Sequence, residues 1–191
     1  MRRIILASKS PRRESLLKQI GLKFEIDPSK CKEQINPKLK PHELVKSLSL
    51  QKAKEVAKRH KNAIIIASDT LNFLGNKILG KPKNAKDAKT ILKKESGKAH
   101  TVITGFTIID TSNQKTYTGS TKTKVYFKRL SEKEIDSYIA TEEPLDKAGG
   151  YGIQSLGSIF IKKIEGDYYN VVGLPIFDLT QALRKFGIEI L

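Results

Sequence analysis

With 191 residues, 38% of them hydrophobic, the chain is long enough to bury a core without disulfide or metal crosslinks. Its single cysteine, Cys31, excludes an intramolecular disulfide framework and favours a reducing compartment, so the cytoplasm is the expected location. No apolar run approaches the roughly 20 residues that cross a bilayer, and the apolar stretch near the start is too short for a signal peptide. We expect one domain over 1–191 and no membrane partner.

The net charge of +16 predicts attraction to anions. The lysines are spread over nearly every segment, and lysine outnumbers arginine, which argues against bidentate recognition of phosphates and bases. We therefore expect no dedicated nucleic-acid partner. A lysine-rich surface around a site for an anionic small molecule explains the charge as well.

Apolar periodicity and turn signals predict the elements of the first half of the chain. A strand over 2–8 leads into a helix over 11–20, with Ser10 as the expected N-cap and Gly21 just after the last turn. The elements that follow are a strand over 23–27, a loop over 28–41, a helix over 42–59, a buried central strand over 63–67 and a hairpin over 71–79.

The turn before the first helix gathers groups that bind phosphate. Ser8 and Ser10 supply hydroxyls, Arg12 and Arg13 supply guanidinium groups, and the first helical turn supplies free N–H groups. A helix N-terminus of this kind attracts phosphate. A simple cap with solvated arginines is the alternative.

A second candidate site follows the strand over 63–67, which is predicted to end at Ser68-Asp69-Thr70. Ligands of open α/β sheets bind at the carboxyl ends of strands, so Asp69 is placed to hold a divalent cation or to accept a proton from water. A turn-forming aspartate is the alternative. Further on, Lys81 stands between a glycine and a proline that would fix its ammonium group, although the spacing is not that of a Walker A loop. Taken alone, these residues favour a surface turn over a binding site.

Elements of the second half are a helix over 85–95, long antiparallel strands over 100–111 and 115–129, a helix capped by Ser131 and Glu134, a Gly-rich loop over 146–152, a strand over 158–164 and a final helix from about 175 to 186. Residues 168–170 are expected to brace the loop and start the last helix. This order predicts a mixed α/β fold, with a mixed sheet flanked by helices.

The Gly-rich loop is a third candidate site. Its three glycines let the backbone approach a ligand, and Gln154 can read a base edge with its paired donor and acceptor. A tight turn that needs glycine is the alternative.

The remaining chemistry is carried by carboxylates. No second histidine stands at metal-ligand spacing from His100, and there is no G-x-S-x-G elbow, so neither a histidine metal site nor covalent catalysis is indicated. Glu33, Asp69 and Asp146, together with the arginines and lysines, fit metal-assisted hydrolysis of a phosphate ester or anhydride.

In chain order, these segments resemble the Maf family of nucleoside triphosphate pyrophosphatases. The matching segments are Leu6–Arg13, Glu33, Gln51–Ala53, Ser68–Thr70, Leu79–Pro82, Ser96–Gly105, Glu143–Gln154 and Asn170–Pro175. They span nearly the whole chain, and eight matches in order are highly specific.

The resemblance implies a fold like that of inosine triphosphate pyrophosphatases, a bent mixed sheet with a central cleft. It implies hydrolysis between the α and β phosphates to a monophosphate and pyrophosphate, assisted by Mg²⁺ or Mn²⁺. By position, Asp69 would be the proton acceptor and, with Glu33, a metal ligand. The residues that would hold the triphosphate are Ser8, Arg12, Arg13, Lys52 and Lys81, and Lys81 would also be catalytic. The positions linked to base selection are Arg12, Thr70 and Gln154.

The resemblance implies the branch that acts on dTTP and UTP, and it leaves modified pyrimidine nucleotides open as substrates. The role it implies is the removal of non-standard nucleotides before they are incorporated. Thr70 after Asp69 distinguishes it from the branch acting on 7-methyl-GTP, which usually has Asp-Gln there. Two alternatives stay open: a pyrophosphatase that acts on 7-methyl-GTP, and a non-catalytic basic protein that binds nucleic acid or acts in cell division. A homodimer is also left open. Two departures stand out: Lys32 where the family often has an acid, and Thr141-Glu142-Glu143 in place of Thr-Gly-Glu.

Overall fold

Seven strands form one mixed sheet in the computed structural model, which describes residues 2–191. The strands are β1 (Arg3–Leu6), β2 (Glu25–Ile26), β3 (Ala63–Leu74), β4 (Lys77–Leu79), β5 (Ala99–Asp110), β6 (Thr116–Phe127) and β7 (Ile161–Glu165). Their order is β2-β1-β3-β5-β6-β7, and β4 pairs with the end of β3. Strand β1 is parallel to β2 and β3, whereas β4 and β7 are antiparallel to their partners.

The helices are α1 (Pro11–Gln19), α2 (Pro41–Ala57), α3 (Ala85–Glu95), α4 (Glu132–Ile139), α5 (Tyr168–Val172) and α6 (Ile176–Arg184). The predicted mixed α/β fold, a mixed sheet with helices around it, is therefore confirmed. Within residues 2–191, none of the helices has the length and apolar character that crossing a bilayer requires.

The described residues divide into two compact units. The first comprises the residues up to Thr70 together with 104–121 and 172–191, and the second comprises 71–103 and 122–171. Strands β3, β5 and β6 each contribute residues to both units.

The core of the first unit lies where α2 packs against the parallel strands. Its buried side chains are Ile5, Ala7, Ala53, Val56, Ala63, Ile65, Ala67 and Ile109. Fully burying one isoleucine stabilises a fold by about 1.5–3 kcal/mol. Gly105 shows how close the packing is, because a Cβ at this position would lie 2.3 Å from the Val45 carbonyl group. Only glycine lets α2 approach β5 this closely.

The core of the second unit is rich in aromatic rings. Phe127 contacts Tyr151 edge-on at 4.8 Å between ring centroids, and Tyr138 contacts Phe160 in the same way at 4.9 Å. These contacts add to the area that the rings bury. Buried side chains of α3, β5, β6 and α4 also belong to this core.

A buried polar group lies beside these rings. His100 Nε2 lies 2.7 Å from the Tyr151 hydroxyl, and His100 Nδ1 lies 3.5 Å from Glu95 Oε1. Burial lowers the pKa of His100 to about 4 and raises the pKa of Glu95 well above its ordinary value. Burial thus favours the neutral form of both side chains.

The largest difference from the predicted elements concerns β3. The sequence predicts a strand that ends before Ser68, but β3 continues to Leu74. The polar residues remain in the strand because each finds a partner: Ser68 donates to the Gly173 carbonyl, Asp69 pairs with Lys52, and Thr70 pairs with Thr104. Asp69 still lies beyond the residues of β3, 63–66, that pair with β1.

Smaller differences occur at element ends. The predicted strand over 158–164 begins only at Ile161, because a 3₁₀ segment occupies Leu156–Phe160. Residues 168–172 form the separate helix α5 and do not start α6, since Gly173 has a φ of 123° and breaks the helical path. The strand predicted over 23–27 is reduced to Glu25–Ile26.

The two predicted helix caps have different outcomes. Ser131 and Glu134 form the predicted capping box at α4. Ser10 occupies the N-cap position of α1 with an extended backbone, but its hydroxyl makes no capping bond. The backbone N–H of Ser10 donates to Ser8 Oγ at 3.2 Å.

Candidate active site

Lys52 connects two carboxylates in the first unit. Helix α2 carries Lys52, the loop before it carries Glu33, and Asp69 stands on β3. Lys52 Nζ is hydrogen-bonded to Asp69 Oδ1 and lies 2.9 Å from Glu33 Oε1. The Asp69 side chain is 10% exposed and Glu33 37%, so the two carboxylates differ in their access to water.

Arg13 is held by three acceptors at the start of α1. Its Nε donates to the Gly173 carbonyl at 2.9 Å, Nη1 donates to Ser8 Oγ at 3.3 Å, and Nη2 donates to Thr70 Oγ1 at 3.1 Å. A guanidinium group has five N–H donors, so these bonds leave one on each terminal nitrogen. A fork of two donors is the arrangement that binds phosphate oxygens in pairs.

The electrostatic environment of this group is mixed. Burial raises the pKa of Asp69, and the charges of Lys52 and Arg13 act against that rise. Burial lowers the pKa of Arg13, which Asp69 partly opposes, and the neighbouring charge of Arg12 lowers it further. The result is a largely dehydrated carboxyl group beside two cations, an environment that can tune a proton acceptor.

Glu33 and Asp69 are the carboxylates that this cluster offers to a divalent cation. Among residues 2–191, no three His, Cys, Asp or Glu side chains converge closely enough to hold a metal ion on their own. Glu33 and Asp69 nevertheless approach the same cationic nitrogen, Lys52 Nζ. Mg²⁺ is often held by one or two carboxylates together with water and substrate phosphates. The two carboxylates therefore fit a cation that binds along with a phosphate substrate.

The first unit brings together most of the residues that the sequence predicts for the site. The hydrogen bonds and ion pairs just described join Ser8, Arg13, Glu33, Lys52, Asp69 and Thr70. Arg12 follows Pro11 in the first turn of α1 and is partly exposed.

Lys81 and Gln154 belong to the second unit, and both are exposed there. The Gly80 carbonyl accepts a hydrogen bond from Gly149 N at 3.0 Å, so the segment that carries Lys81 is tied to the Gly-rich loop. Asp146, in the same loop, pairs with Lys147 at 2.7 Å. The roles of Lys81 and Gln154 stay predictions.

A family model described as Maf-like protein matches residues 3–186. The chain belongs to the Maf-like family. The resemblance drawn from the eight sequence segments is thereby confirmed.

Two relatives share half of their residues with this Maf-like chain. Proteins named dTTP/UTP pyrophosphatase from Bacillus cereus and from Bacillus mycoides are each 50% identical to it over 190 residues, covering 100% of this chain and 98% of the relative. Among solved structures, the Staphylococcus aureus Ham1 protein is similar at a TM-score of 0.46 and 14% identity, covering 65% of this chain and 71% of that one.

Sequence reasoning missed several residues of this Maf-like site. Thr104 on β5 lies 2.9 Å from Thr70, and the Gly173 carbonyl accepts bonds from both Arg13 and Ser68. Thr104 is fully buried, and no local pattern in the sequence pairs it with a residue 34 positions earlier. Gly173 acts through its backbone, which side-chain motifs do not report.

Proposed function

We propose that this chain is a nucleoside triphosphate pyrophosphatase that hydrolyses dTTP and UTP to the monophosphate and pyrophosphate. The observation that carries the proposal is the 50% identity, over the full chain, with relatives named for that activity. The carboxylates of Glu33 and Asp69, together with the cations Lys52 and Arg13, supply the chemistry that such a reaction needs.

Asp69 accepts the proton of the attacking water. As the water oxygen bonds to the α phosphorus, the α–β bridging oxygen leaves with pyrophosphate. Burial raises the pKa of Asp69 and makes it a stronger base than an exposed aspartate, while Lys52 and Arg13 keep it ionised. General base catalysis of this kind is worth about 10²–10⁴ in rate.

The phosphates are held by the groups around the start of α1. The two remaining donors of Arg13 bind phosphate oxygens, and Ser8 keeps the guanidinium group in place. Arg12, Lys52 and the first N–H groups of α1 add positive potential. Lys81 is proposed, from its position in the family pattern, to bind the triphosphate and stabilise charge during cleavage.

A divalent cation would be held by Glu33 and Asp69, where it would neutralise phosphate charge. Lys32 beside Glu33 adds a positive charge where the family often has an acid. We expect this to weaken cation binding and not to remove it, because the two carboxylates stay in place.

Base selection is assigned to Arg12, Thr70 and Gln154. Thr70 already uses its hydroxyl for Arg13 and Thr104, so its part is to shape the site. Gln154 offers an amide donor and acceptor for a base edge. The protein is proposed to act in the cytoplasm, because a single cysteine is typical of a reducing compartment. Its proposed role there is to remove non-standard nucleotides.

A substrate panel tests the proposal. The purified protein is incubated with dTTP, UTP, CTP, dATP, GTP and 7-methyl-GTP, with Mg²⁺ or Mn²⁺ and with a chelator control, and pyrophosphate is measured separately from orthophosphate. Pyrophosphate from dTTP and UTP is the expected result. Orthophosphate would place cleavage at another bond, and preference for 7-methyl-GTP would favour the other branch. No turnover, with steeply salt-dependent duplex binding, would favour a nucleic-acid-binding protein.

A further inference from the structure

Glu143 gathers four hydrogen bonds in the second unit. Its Oε1 accepts from the Tyr138 hydroxyl at 2.8 Å, from Ser155 Oγ at 2.6 Å and from Gly157 N at 3.1 Å. Its Oε2 accepts from Leu156 N at 3.1 Å. One carboxylate therefore holds three consecutive residues that lie 12–14 positions further along the chain.

The same contacts close a short segment, Gly152–Gly157, on itself. The Tyr138 hydroxyl that donates to Glu143 also accepts from Gly152 N at 3.3 Å. The two ends of the segment lie against each other, since a Cβ at Gly157 would be 2.8 Å from Gly152 N and 2.7 Å from the Tyr138 hydroxyl. Glycine at position 157 is thus required by close approach.

The segment Gly152–Gly157 is anchored in the aromatic core of the second unit. Tyr138 and Ile153 pack in the aromatic core of the second unit, where Tyr138 contacts Phe160. Burial acts to raise the pKa of Glu143, but the hydrogen bonds from Ser155, Tyr138 and the two backbone N–H groups together lower it. Glu143 is therefore ionised at neutral pH, the form in which it accepts all four bonds.

Gln154 lies within this segment and is exposed. The hydrogen bonds that close the segment involve residues on both sides of Gln154 and leave its amide out. A fixed backbone lowers the entropic cost of binding, because only the rotamers of the Gln154 side chain are then lost when its amide meets a ligand.

We infer that Glu143 is a positioning residue for nucleobase selection, whose carboxylate holds Gly152–Gly157 so that the Gln154 side chain extends from one fixed backbone position. The inference rests on the proposed function, in which Gln154 reads the base. Discrimination between bases depends on this backbone position, since a mobile backbone lets the amide reach the wrong base and a fixed one restricts its reach.

Nucleotide discrimination in Glu143→Gln tests the inference. Glutamine keeps the size of the side chain but turns one acceptor into a donor that faces donors. We expect the ratio of kcat/KM for dTTP to that for GTP to fall about tenfold in Glu143→Gln, and to a smaller extent in Tyr138→Phe. Glu142→Gln, which removes the same charge from the exposed neighbour, should leave the ratio unchanged.

A double-mutant cycle separates positioning from a general loss of structure. If Glu143 acts through Gln154, then Glu143→Gln with Gln154→Ala should match Gln154→Ala alone within about twofold. Additive effects, or an equal loss of kcat/KM for all nucleotides in Glu143→Gln, would overturn the inference.

Amide hydrogen exchange gives a readout that does not depend on turnover. The Leu156 and Gly157 amides should exchange faster in Glu143→Gln and not in Glu142→Gln, and unchanged rates would also overturn the inference. If the wild type does not hydrolyse dTTP at all, the proposed function fails. The affinities of Glu143→Gln and wild type for α,β-methylene analogues of dTTP and GTP then decide the inference, which requires a lower dTTP-to-GTP preference in the variant.

Discussion

Thr70 and Thr104 face each other on β3 and β5, with their hydroxyl oxygens 2.9 Å apart. Because Thr70 Oγ1 also accepts from Arg13 Nη2, its own proton is available to Thr104. The position of Arg13 therefore depends on a buried threonine that it does not itself contact. This chain of bonds links the interior of β3 and β5 to the start of α1, where we propose that phosphate binds.

Thr104→Val should impair catalysis by loosening this chain. The variant keeps its shape but leaves the Thr70 hydroxyl without that partner, so Arg13 is held less firmly. We expect kcat/KM for dTTP to fall about fivefold, mainly through KM, because a lost neutral hydrogen bond is worth about 1 kcal/mol. Steady-state kinetics measure this.

Thr107→Val is the matched control. Thr107 is equally buried on the same strand, and its hydroxyl lies 2.8 Å from Ser49 Oγ. In urea titration, Thr107→Val should lose about as much stability as Thr104→Val, while its kcat/KM should stay at the wild-type value. Equal activity losses in the two variants would contradict a specific link from Thr104 to Arg13.

Arg13→Lys should be far from conservative. A lysine keeps the charge but cannot bond to Gly173, Ser8 and a phosphate at once, since it lacks the planar fork. We expect kcat/KM to fall about 10–100-fold, the range for a charge-assisted bond of about 1.5–3 kcal/mol. Arg3→Lys, at the exposed pair with Glu25, is the control and should stay near wild type. Near-normal activity in Arg13→Lys would remove Arg13 from the phosphate site.

The buried pair of His100 and Glu95 should give opposite pH dependences of stability. The pKa of folded His100 is about 4, so between about pH 6.5 and 4 the unfolded chain binds a proton that folded His100 does not, and the free energy of unfolding falls with falling pH. The raised pKa of Glu95 makes the folded state keep a proton that the unfolded chain releases above about pH 4.5, so this contribution falls with rising pH.

Single variants separate these two effects in urea titrations at several pH values. Between about pH 7 and pH 4, the free energy of unfolding of the wild type should fall by about 3 kcal/mol relative to that of His100→Gln. Glu95→Gln should gain stability relative to the wild type as the pH rises above about 4.5. Differences that do not change with pH would mean that these groups titrate alike in the folded and unfolded chains.

Glu142→Gly should stabilise the protein. Glu142 has a φ of 61°, in the left-handed region that glycine adopts without strain, and it stands where the family pattern has glycine. We expect a gain of about 1 kcal/mol and a higher Tm, measured by calorimetry. Glu142→Ala, which removes the same side chain but keeps a Cβ, should give little gain. Equal gains in both would assign the effect to charge instead of backbone strain.

Much of the fold could be predicted from local patterns. The boundaries of α3 and the capping box at Ser131 depend on residues within a few positions, and both are confirmed. The end of β3 could not be predicted, because Ser68-Asp69-Thr70 has the composition of a turn. It stays in the strand through Lys52, Thr104 and Gly173, which are distant in sequence.

The candidate site shows the same division. Asp69, Lys52 and Glu33 could be selected by residue type and by family resemblance, and the structure joins them by ion pairs. Glu143 could not be selected, because it acts on backbone N–H groups 13 and 14 residues later. Long-range contacts to the backbone leave no periodic signal in a sequence.

Pyrophosphate release from dTTP by the wild type and by Asp69→Asn, measured side by side with dTTP affinity, tests the central claim most directly. We expect pyrophosphate from the wild type, a loss of at least about 100-fold in kcat for the variant, and affinities that agree within about threefold. Asparagine keeps the size of the side chain and cannot accept the proton. An Asp69→Asn protein that releases pyrophosphate at the wild-type rate would contradict the assignment of Asp69 as the base.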